Sequence, residues 1–220
     1  VQARIGAKRA FAFDVNAACS GFHHAWAVAD SMISSGQAKR LLVVGADVLS
    51  PITDYSDRKS CILFGDGAGA MILDSAEGHP RSRFVFSADG TGAEMLHLPA
   101  GGSERPRMRM KGHEIFKASV RTMVELSSRI LEESSLSPAD VDFVVPHQAN
   151  LRILERVARL QKIPLDRFVM NIADRGNTSA ATVPTALDLG IRSGRIRRGH
   201  RLLVPVFGAG LTAGAALATY

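Results

Sequence analysis

The sequence predicts an α/β protein built by duplication. Short apolar runs alternate with amphipathic segments, and one strand, helix, strand, Gly-turn, strand unit recurs along the chain. A composition of 46% hydrophobic and 22% charged residues in 220 supplies a sizeable core, which removes disordered and fibrous classes.

Strands are expected near 10–15, 41–46, 62–65, 69–74, 142–146, 168–172, 202–207 and 214–219, with a shorter one at Phe84 to Phe86. Between them, helical spacing of apolar residues predicts helices over Cys19 to Ser35, Glu114 to Ser134, Asn150 to Leu160 and Ser179 to Arg192, with Gly36 and Gly194 as stops. The Gly, Pro, Arg and Ser content of Ser75 to Arg109 marks a connection. A boundary between 78 and 79 divides the chain into the second part of one half (1–78) and the C-terminal half including its connecting segment (79–220).

The duplication shows when Phe11 to Cys19 is laid over Phe168 to Asn177. Ser35-Gly36 then falls on Ser193-Gly194, and, after small shifts, Leu42-Val43-Val44 meets Leu202-Leu203-Val204 and Phe64-Gly65-Asp66-Gly67 meets Phe207-Gly208-Ala209-Gly210. This register puts Cys19 and Asn177 in equivalent places at two helix mouths. A helix, a strand and a helix (Met108 to Lys162) precede Phe168, whereas Phe11 stands almost at the start, so the first copy is expected to be incomplete, with exposed apolar edges.

Several function classes recede. A net charge of +6 and a pI near 9.8 attract anions, yet one Trp, two Tyr and no helix-turn-helix, zinc or aromatic-platform pattern argue against nucleic acid. The apolar stretches are too short to span a membrane. Two cysteines, Cys19 and Cys61, suit a reducing cytoplasm better than a disulfide framework, and the histidines lack metal-ligand spacing, so no metal or cofactor is expected.

Cys19 follows a strand-like run and opens a helix, where the positive end of the helix dipole lowers a thiol pKa; the alternative is a small buried hydrophobe. Cys61 lacks such a setting and is expected in the core. His147 ends the run Val141 to Pro146 at the carboxyl end of a strand, where α/β sheets place their sites, although a core histidine fits as well. Asn177 is either a helix cap or a counterpart of Cys19. The turns at Phe64 and Phe207 lack the Lys and Ser/Thr of a phosphate-binding loop; the second could aim a backbone N–H at a reacting oxygen.

The runs Ala17-Ala18-Cys19-Ser20-Gly21-Phe22, Phe64-Gly65-Asp66-Gly67-Ala68-Gly69-Ala70, Val145-Pro146-His147-Gln148-Ala149-Asn150, Gly176-Asn177-Thr178-Ser179-Ala180-Ala181 and Phe207-Gly208-Ala209-Gly210-Leu211-Thr212 closely resemble the later two thirds of the β-ketoacyl-acyl carrier protein synthase III family. That resemblance implies a thiolase-like fold with mixed five-stranded sheets and a homodimer. It also implies a decarboxylating condensation of an acyl-CoA primer with malonyl-acyl carrier protein that initiates fatty acid synthesis, both thioesters being substrates. Carried over residue by residue, Cys19 is the acylated nucleophile, His147 and Asn177 hold the malonyl thioester oxygen, and the backbone N–H groups of Cys19 and Ala209 form the acylation oxyanion hole.

By the same resemblance Arg58 meets the CoA nucleotide, Gly112, Phe116 and Asn150 line the pantetheine tunnel, and Phe207 lies beside the active site. Lys117, Arg152, Arg156 and Arg159 would face an acidic carrier protein; without the resemblance they are an ordinary solvated basic face. Two departures stand out: Ala209 replaces the middle Gly of three, costly if that position needs a positive φ, and Ala213 replaces a usual Trp. A condensing enzyme or acyltransferase of secondary metabolism, and a non-catalytic partner subunit, are the alternatives.

Overall fold

The computed structural model describes residues 1–75, 81–99 and 106–220. A 3-10 turn (Ala18–Ser20) leads into α1 (Gly21–Ser34), followed by the antiparallel pair β1 (Arg40–Asp47) and β2 (Gly67–Asp74). Then come β3 (Arg83–Ala88), the short pair β4 (Leu96–His97) and β5 (Arg109–Met110), and α2 (Gly112–Glu133). The remaining elements are β6 (Phe143–Val144), α3 (Leu151–Gln161), α4 (Ile172–Arg175), a second 3-10 turn (Ser179–Ala181), α5 (Thr182–Arg192), β7 (Arg201–Gly208) and β8 (Thr212–Thr219).

The larger sheet has the order β3-β8-β7-β6, with β6 parallel to β7 and the other pairs antiparallel. Its central strands are buried on both faces, which is why β7 and β8 read as nearly unbroken apolar runs. Leu203, Ala215 and Phe207 pack on one side with Met123, Ile130 and Val157 from α2 and α3. Leu202, Val204 and Ala216 pack on the other with Phe22 and Trp26 of α1 and Val183 and Ala186 of α5. On its far side, the α1–α5 layer covers one face of β1–β2 through Val43, Met71 and Leu73. Leu42, Val44 and Ile72 point outward and are exposed, in keeping with the expected uncovered edge.

The four predicted long helices are present within two or three residues of their expected ends, and Gly36 and Gly194 take φ of +75° and +74° where α1 and α5 stop. Three expected strands are not. Residues 10–15 carry no regular structure and are unpaired among the described residues, with Phe11 and Phe13 stacked and 64% and 55% exposed, because no neighbouring strand accepts their backbone groups. Residues 62–65 form a turn with one bridge, Phe64 to Asn177, since Cys61 and Leu63 donate to Asp57 and Ser60 carbonyls instead of a ladder.

Residues 168–172 make a single parallel bridge, Phe168 to Val144. Beyond it the Gln148 Oε1 accepts the N–H groups of Asn171 and Ile172 at 2.9 and 3.0 Å and turns the chain into α4. For these reasons the expected five-stranded sheets are, among the described residues, one four-stranded and two two-stranded sheets. The expected boundary at 78/79 lies outside the described residues, and Cys61 is half-buried on its turn and not in the core.

The duplication is visible in three dimensions, in a different register. Ala18 corresponds to Ser179, Gly21 to Thr182 and Arg40 to Arg201, so Cys19 lies opposite Ala180 and Asn177 opposite Asn16. Both asparagines build the same turn: Asn16 Oδ1 accepts the Ala18 N–H at 3.0 Å, and Asn177 Oδ1 accepts the Ser179 N–H at 2.8 Å. Each then sends the residue it caps to a positive φ, +47° for Ala18 and +52° for Ser179. The sequence register fails because α1 has 14 residues and α5 has 11, so no ungapped alignment matches both helix ends.

Candidate functional site

Cys19 sits in the 3-10 turn that precedes α1, directly after the left-handed Ala18, a conformation that a residue with a Cβ adopts at a cost of about 1–3 kcal/mol and that recurs at functional turns. The end of β7 packs tightly on this turn: a Cβ on Gly208 would lie 2.9 Å from Ser20 N and 3.0 Å from Cys19 N. This contact brings Ala209 beside the sulfur, and the backbone N–H groups of Cys19 and Ala209 both favour the thiolate. Ala209 itself has no positive φ; that conformation falls on Gly210, at +131°, so the Gly-to-Ala departure is accommodated without strain.

The Ser20 and Thr212 hydroxyls, 2.7 Å apart, and the Ala17 and Ala209 carbonyls, each 3.0 Å from Thr212 Oγ1, whose single hydrogen either can accept, tie the turn to the β7–β8 connection. Against the sequence expectation, the Cys19 thiol is pushed above its ordinary value. Burial is the largest cause, and the Asp47 carboxylate adds to it; the Ser179 hydroxyl and the two backbone N–H groups pull the other way. Because Cys19 lies in the 3-10 turn and not at the first turn of α1, the long helix is not alone able to offset the lost solvation.

His147 is reached by extending β6: Val145 N and His147 N donate to the Leu203 and Pro205 carbonyls of β7, each at 2.9 Å. The side chain is 2% exposed, and burial lowers its pKa to about 4, so the imidazole is neutral at physiological pH. Its Nδ1 lies 2.7 Å from Thr182 Oγ1. That hydroxyl carries one hydrogen, which it can give to the Ser179 carbonyl at 2.9 Å or to Nδ1; in the second arrangement Nε2 holds the ring proton.

Asn177 is held by the interlocked turns, donating its N–H to Leu63 O at 2.7 Å and accepting the Gly65 N–H at 2.9 Å. Only its side-chain oxygen can accept the Ser179 N–H, which orients the amide and leaves Nδ2 as its donor end.

The three residues singled out from sequence therefore meet around one that sequence reasoning missed. The Ser179 hydroxyl donates to Cys19 Sγ at 3.4 Å, its N–H reaches Asn177, and its carbonyl meets Thr182, the partner of His147. Asp47, at the end of β1, also went unnoticed; it accepts the Ala180 N–H at 3.0 Å and fixes the second 3-10 turn. A signal for Ser179 was present in its place two residues after Asn177 in the Gly-Asn-Thr-Ser run, a position able to close an Asx turn.

The peripheral residues separate. Phe207 is buried in the core under Ala209. Gly112 opens α2, while Asn150 caps α3 by accepting the Arg152 N–H at 2.9 Å, a structural task beside any role toward substrate. Arg58 is exposed on the turn before β2. Phe116, Lys117 and Arg156 line one groove between α2 and α3 together with Val120, Arg121 and Leu160. Arg159 lines a different cleft with Lys162 and Ile163, and Arg152 is exposed near the start of α3. Among the described residues, none of these four cations pairs with a carboxylate.

Two packed α/β copies with a cysteine turn from one and an Asn turn from the other define a thiolase-like condensing-enzyme framework. Residues 13–96 match the family model for 3-oxoacyl-(acyl-carrier-protein) synthase III, and residues 131–220 match the model for its C-terminal part. The chain is 46% identical over 227 residues to the beta-ketoacyl-(acyl-carrier-protein) synthase III of Xylella fastidiosa, covering 100% of this chain and 70% of that protein. Its structure is similar to that of 3-oxoacyl-(acyl-carrier-protein) synthase III from Aquifex aeolicus VF5, with a TM-score of 0.94 and 44% identity over 100% of this chain and 70% of the other. It is also similar to the priming beta-ketosynthase from the R1128 polyketide biosynthetic pathway, with a TM-score of 0.91 and 35% identity over 99% and 68%. The chain belongs to the β-ketoacyl-acyl carrier protein synthase III family. Among the described residues, no helix is long and apolar enough to cross a membrane.

Proposed function

We propose that this chain carries the acyl-accepting and decarboxylating groups of a synthase III that condenses an acyl-CoA primer with malonyl-acyl carrier protein, yielding 3-oxoacyl-acyl carrier protein at the start of fatty acid synthesis. The observation that carries this reading is the convergence of Cys19, His147 and Asn177 on Ser179 and Thr182.

In the first half-reaction Cys19 gives its proton to solvent and attacks the thioester carbonyl as the thiolate, the N–H groups of Cys19 and Ala209 receive the negative oxygen, and CoA leaves as a thiolate that is protonated from solvent. In the second, Asn177 Nδ2 and His147 Nε2–H hold the malonyl thioester oxygen as the carboxylate departs as carbon dioxide. The enolate carbon then attacks the acyl carbon and releases Cys19. The neutral state of His147 suits this role, with the Thr182 hydroxyl hydrogen turned to Nδ1 so that Nε2 donates.

Arg58, Gly112, Phe116 and Asn150 are assigned to CoA and pantetheine contacts, and Phe207 to the substrate side of the active site. Lys117, Arg152, Arg156 and Arg159 are assigned to the acidic carrier protein, and the uncovered apolar residues of β1 and β2 to contacts that include a homodimer. The similarity to a polyketide priming ketosynthase supports a second reading, in which the same condensation serves secondary metabolism. Product analysis with labelled acyl-CoA and malonyl-acyl carrier protein tests the reaction itself. A new carbon–carbon bond with stoichiometric carbon dioxide supports it, whereas acyl transfer to another acceptor without carbon dioxide contradicts it.

A further inference from the structure

We infer that Ser179 is a further catalytic residue of this site, whose hydroxyl donates a hydrogen bond to the Cys19 sulfur and holds it as the attacking thiolate. The inference rests on the reading of Cys19 as the acyl-accepting nucleophile.

Two other buried serines, Ser20 and Ser119, turn their hydroxyls back onto the Ala17 and Phe116 carbonyls, and Ser50 and Ser60 give theirs to the Asp66 and Asp57 carboxylates. Ser179 does neither. It is 5% exposed, and among the described residues its Oγ has one hydrogen-bond partner, the sulfur at 3.4 Å. Its backbone is held at φ +52°, a conformation that residues with a Cβ avoid, by bonds on both sides: the N–H to Asn177 Oδ1 and the carbonyl to the Thr182 hydroxyl. The turn that the two copies share, with Ala18 in the equivalent place, here carries a hydroxyl that it directs at the sulfur, and the same turn sets Asn177 and reaches His147 through Thr182.

The electrostatics give the contact a task. Burial and the Asp47 carboxylate both oppose charge on Cys19, and the Ser179 hydroxyl is the foremost influence opposing them. Cys19 first gives its proton to solvent; in acyl transfer the sulfur–carbonyl carbon bond forms, the carbon–CoA sulfur bond breaks, and CoA leaves as a thiolate that takes up a proton from solvent. Ser179 neither gains nor loses a proton; it stabilises the charged sulfur before attack, and its hold weakens once the sulfur is acylated and neutral.

The test is the pH profile of iodoacetamide alkylation at Cys19, resolved by peptide mass, in the wild-type protein, Ser179→Ala and Ser179→Gly, with Cys61 as internal reference and thermal melting as a folding check. Both variants lose the hydroxyl, and Gly adopts the left-handed backbone freely. Loss of a hydrogen bond to a charged group is expected to move the Cys19 midpoint up by about one pH unit, roughly ten-fold less reaction at neutral pH, in both variants. Cys61 should be unchanged. A folded variant whose Cys19 profile coincides with wild type overturns the inference. So does a shift in Ser179→Ala that Ser179→Gly lacks, which would assign the effect to backbone conformation. Should Ser179→Ala not fold, Ser179→Gly alone decides. Wild-type protein that alkylates normally but takes no acyl group from acyl-CoA would instead contradict the nucleophile reading and leave the Ser179 result standing.

Discussion

The His147 imidazole and the Thr182 hydroxyl form a buried pair, Nδ1 to Oγ1 at 2.7 Å, that joins the end of an extended β6 to the first turn of α5. Because the imidazole is neutral, this hydroxyl decides which ring nitrogen carries the proton. Thr182→Val removes the donor to Nδ1 and is expected to lower carbon dioxide release from malonyl-acyl carrier protein about ten-fold, the scale of one net hydrogen bond. Acylation of Cys19 should change little, and Thr182→Ser should restore the rate. Equal losses in both half-reactions would assign Thr182 to packing alone.

A second expectation concerns pH. Burial lowers His147 to about 4 and His23 to about 3, from an ordinary 6.5. His23 is enclosed by Phe84 and Phe86, its ring 5.4 and 5.3 Å from theirs, and among the described residues its nitrogens make no well-formed hydrogen bond, the Val85 backbone being only a minor opposing influence. Since the folded values lie below the unfolded one, their contribution is complete above pH 6.5 and is lost as pH falls toward 4 and then 3. Each buried imidazole should remove about 1.4 kcal/mol of stability per pH unit in that window. Urea midpoints at pH 7, 6 and 5 measure the slope, and His23→Leu should flatten it. A slope unchanged by His23→Leu would show that this ring charges without unfolding.

The basic residues of α2 and α3 are not equivalent. Lys117 and Arg156 share a groove with Phe116, whereas Arg159 faces a separate cleft. Charge reversal at Lys117 and Arg156 together is expected to weaken carrier-protein binding by on the order of ten-fold and to reduce its salt dependence, while Arg159→Glu has the smaller effect. Acylation by a small acyl-CoA should be unaffected in both variants. Titration against carrier protein at two salt concentrations checks this, and an effect of Arg159→Glu as large as that of the pair would contradict the grouping.

Helices were legible because their signals are local. The apolar spacing of Ile115, Met123, Leu126 and Ile130, and the glycines after α1 and α5, depend on nothing far along the chain. Strands at 10–15, 62–65 and 168–172 were misread because pairing is not local: the apolar pattern is present, but a neighbour is absent or a side chain such as Gln148 takes the backbone donors. At the site, Cys19, His147 and Asn177 stood out by residue type and flanking motif. Ser179 and Asp47 did not, since a hydroxyl and a carboxylate in small-residue surroundings look like ordinary turn chemistry until the two copies are packed together.

In the proposed reaction the two half-reactions use separable groups around one serine, and labelled acyl-CoA incorporation measured beside carbon dioxide release in the complete enzyme tells them apart. Cys19→Ala is expected to abolish incorporation and leave malonyl decarboxylation measurable. Asn177→Ala should still take up label but lose about 10²-fold or more in decarboxylation, the usual effect of removing one oxyanion donor. His147→Ala should follow Asn177→Ala. Normal carbon dioxide release by Asn177→Ala, or undiminished label uptake by Cys19→Ala, would contradict the account.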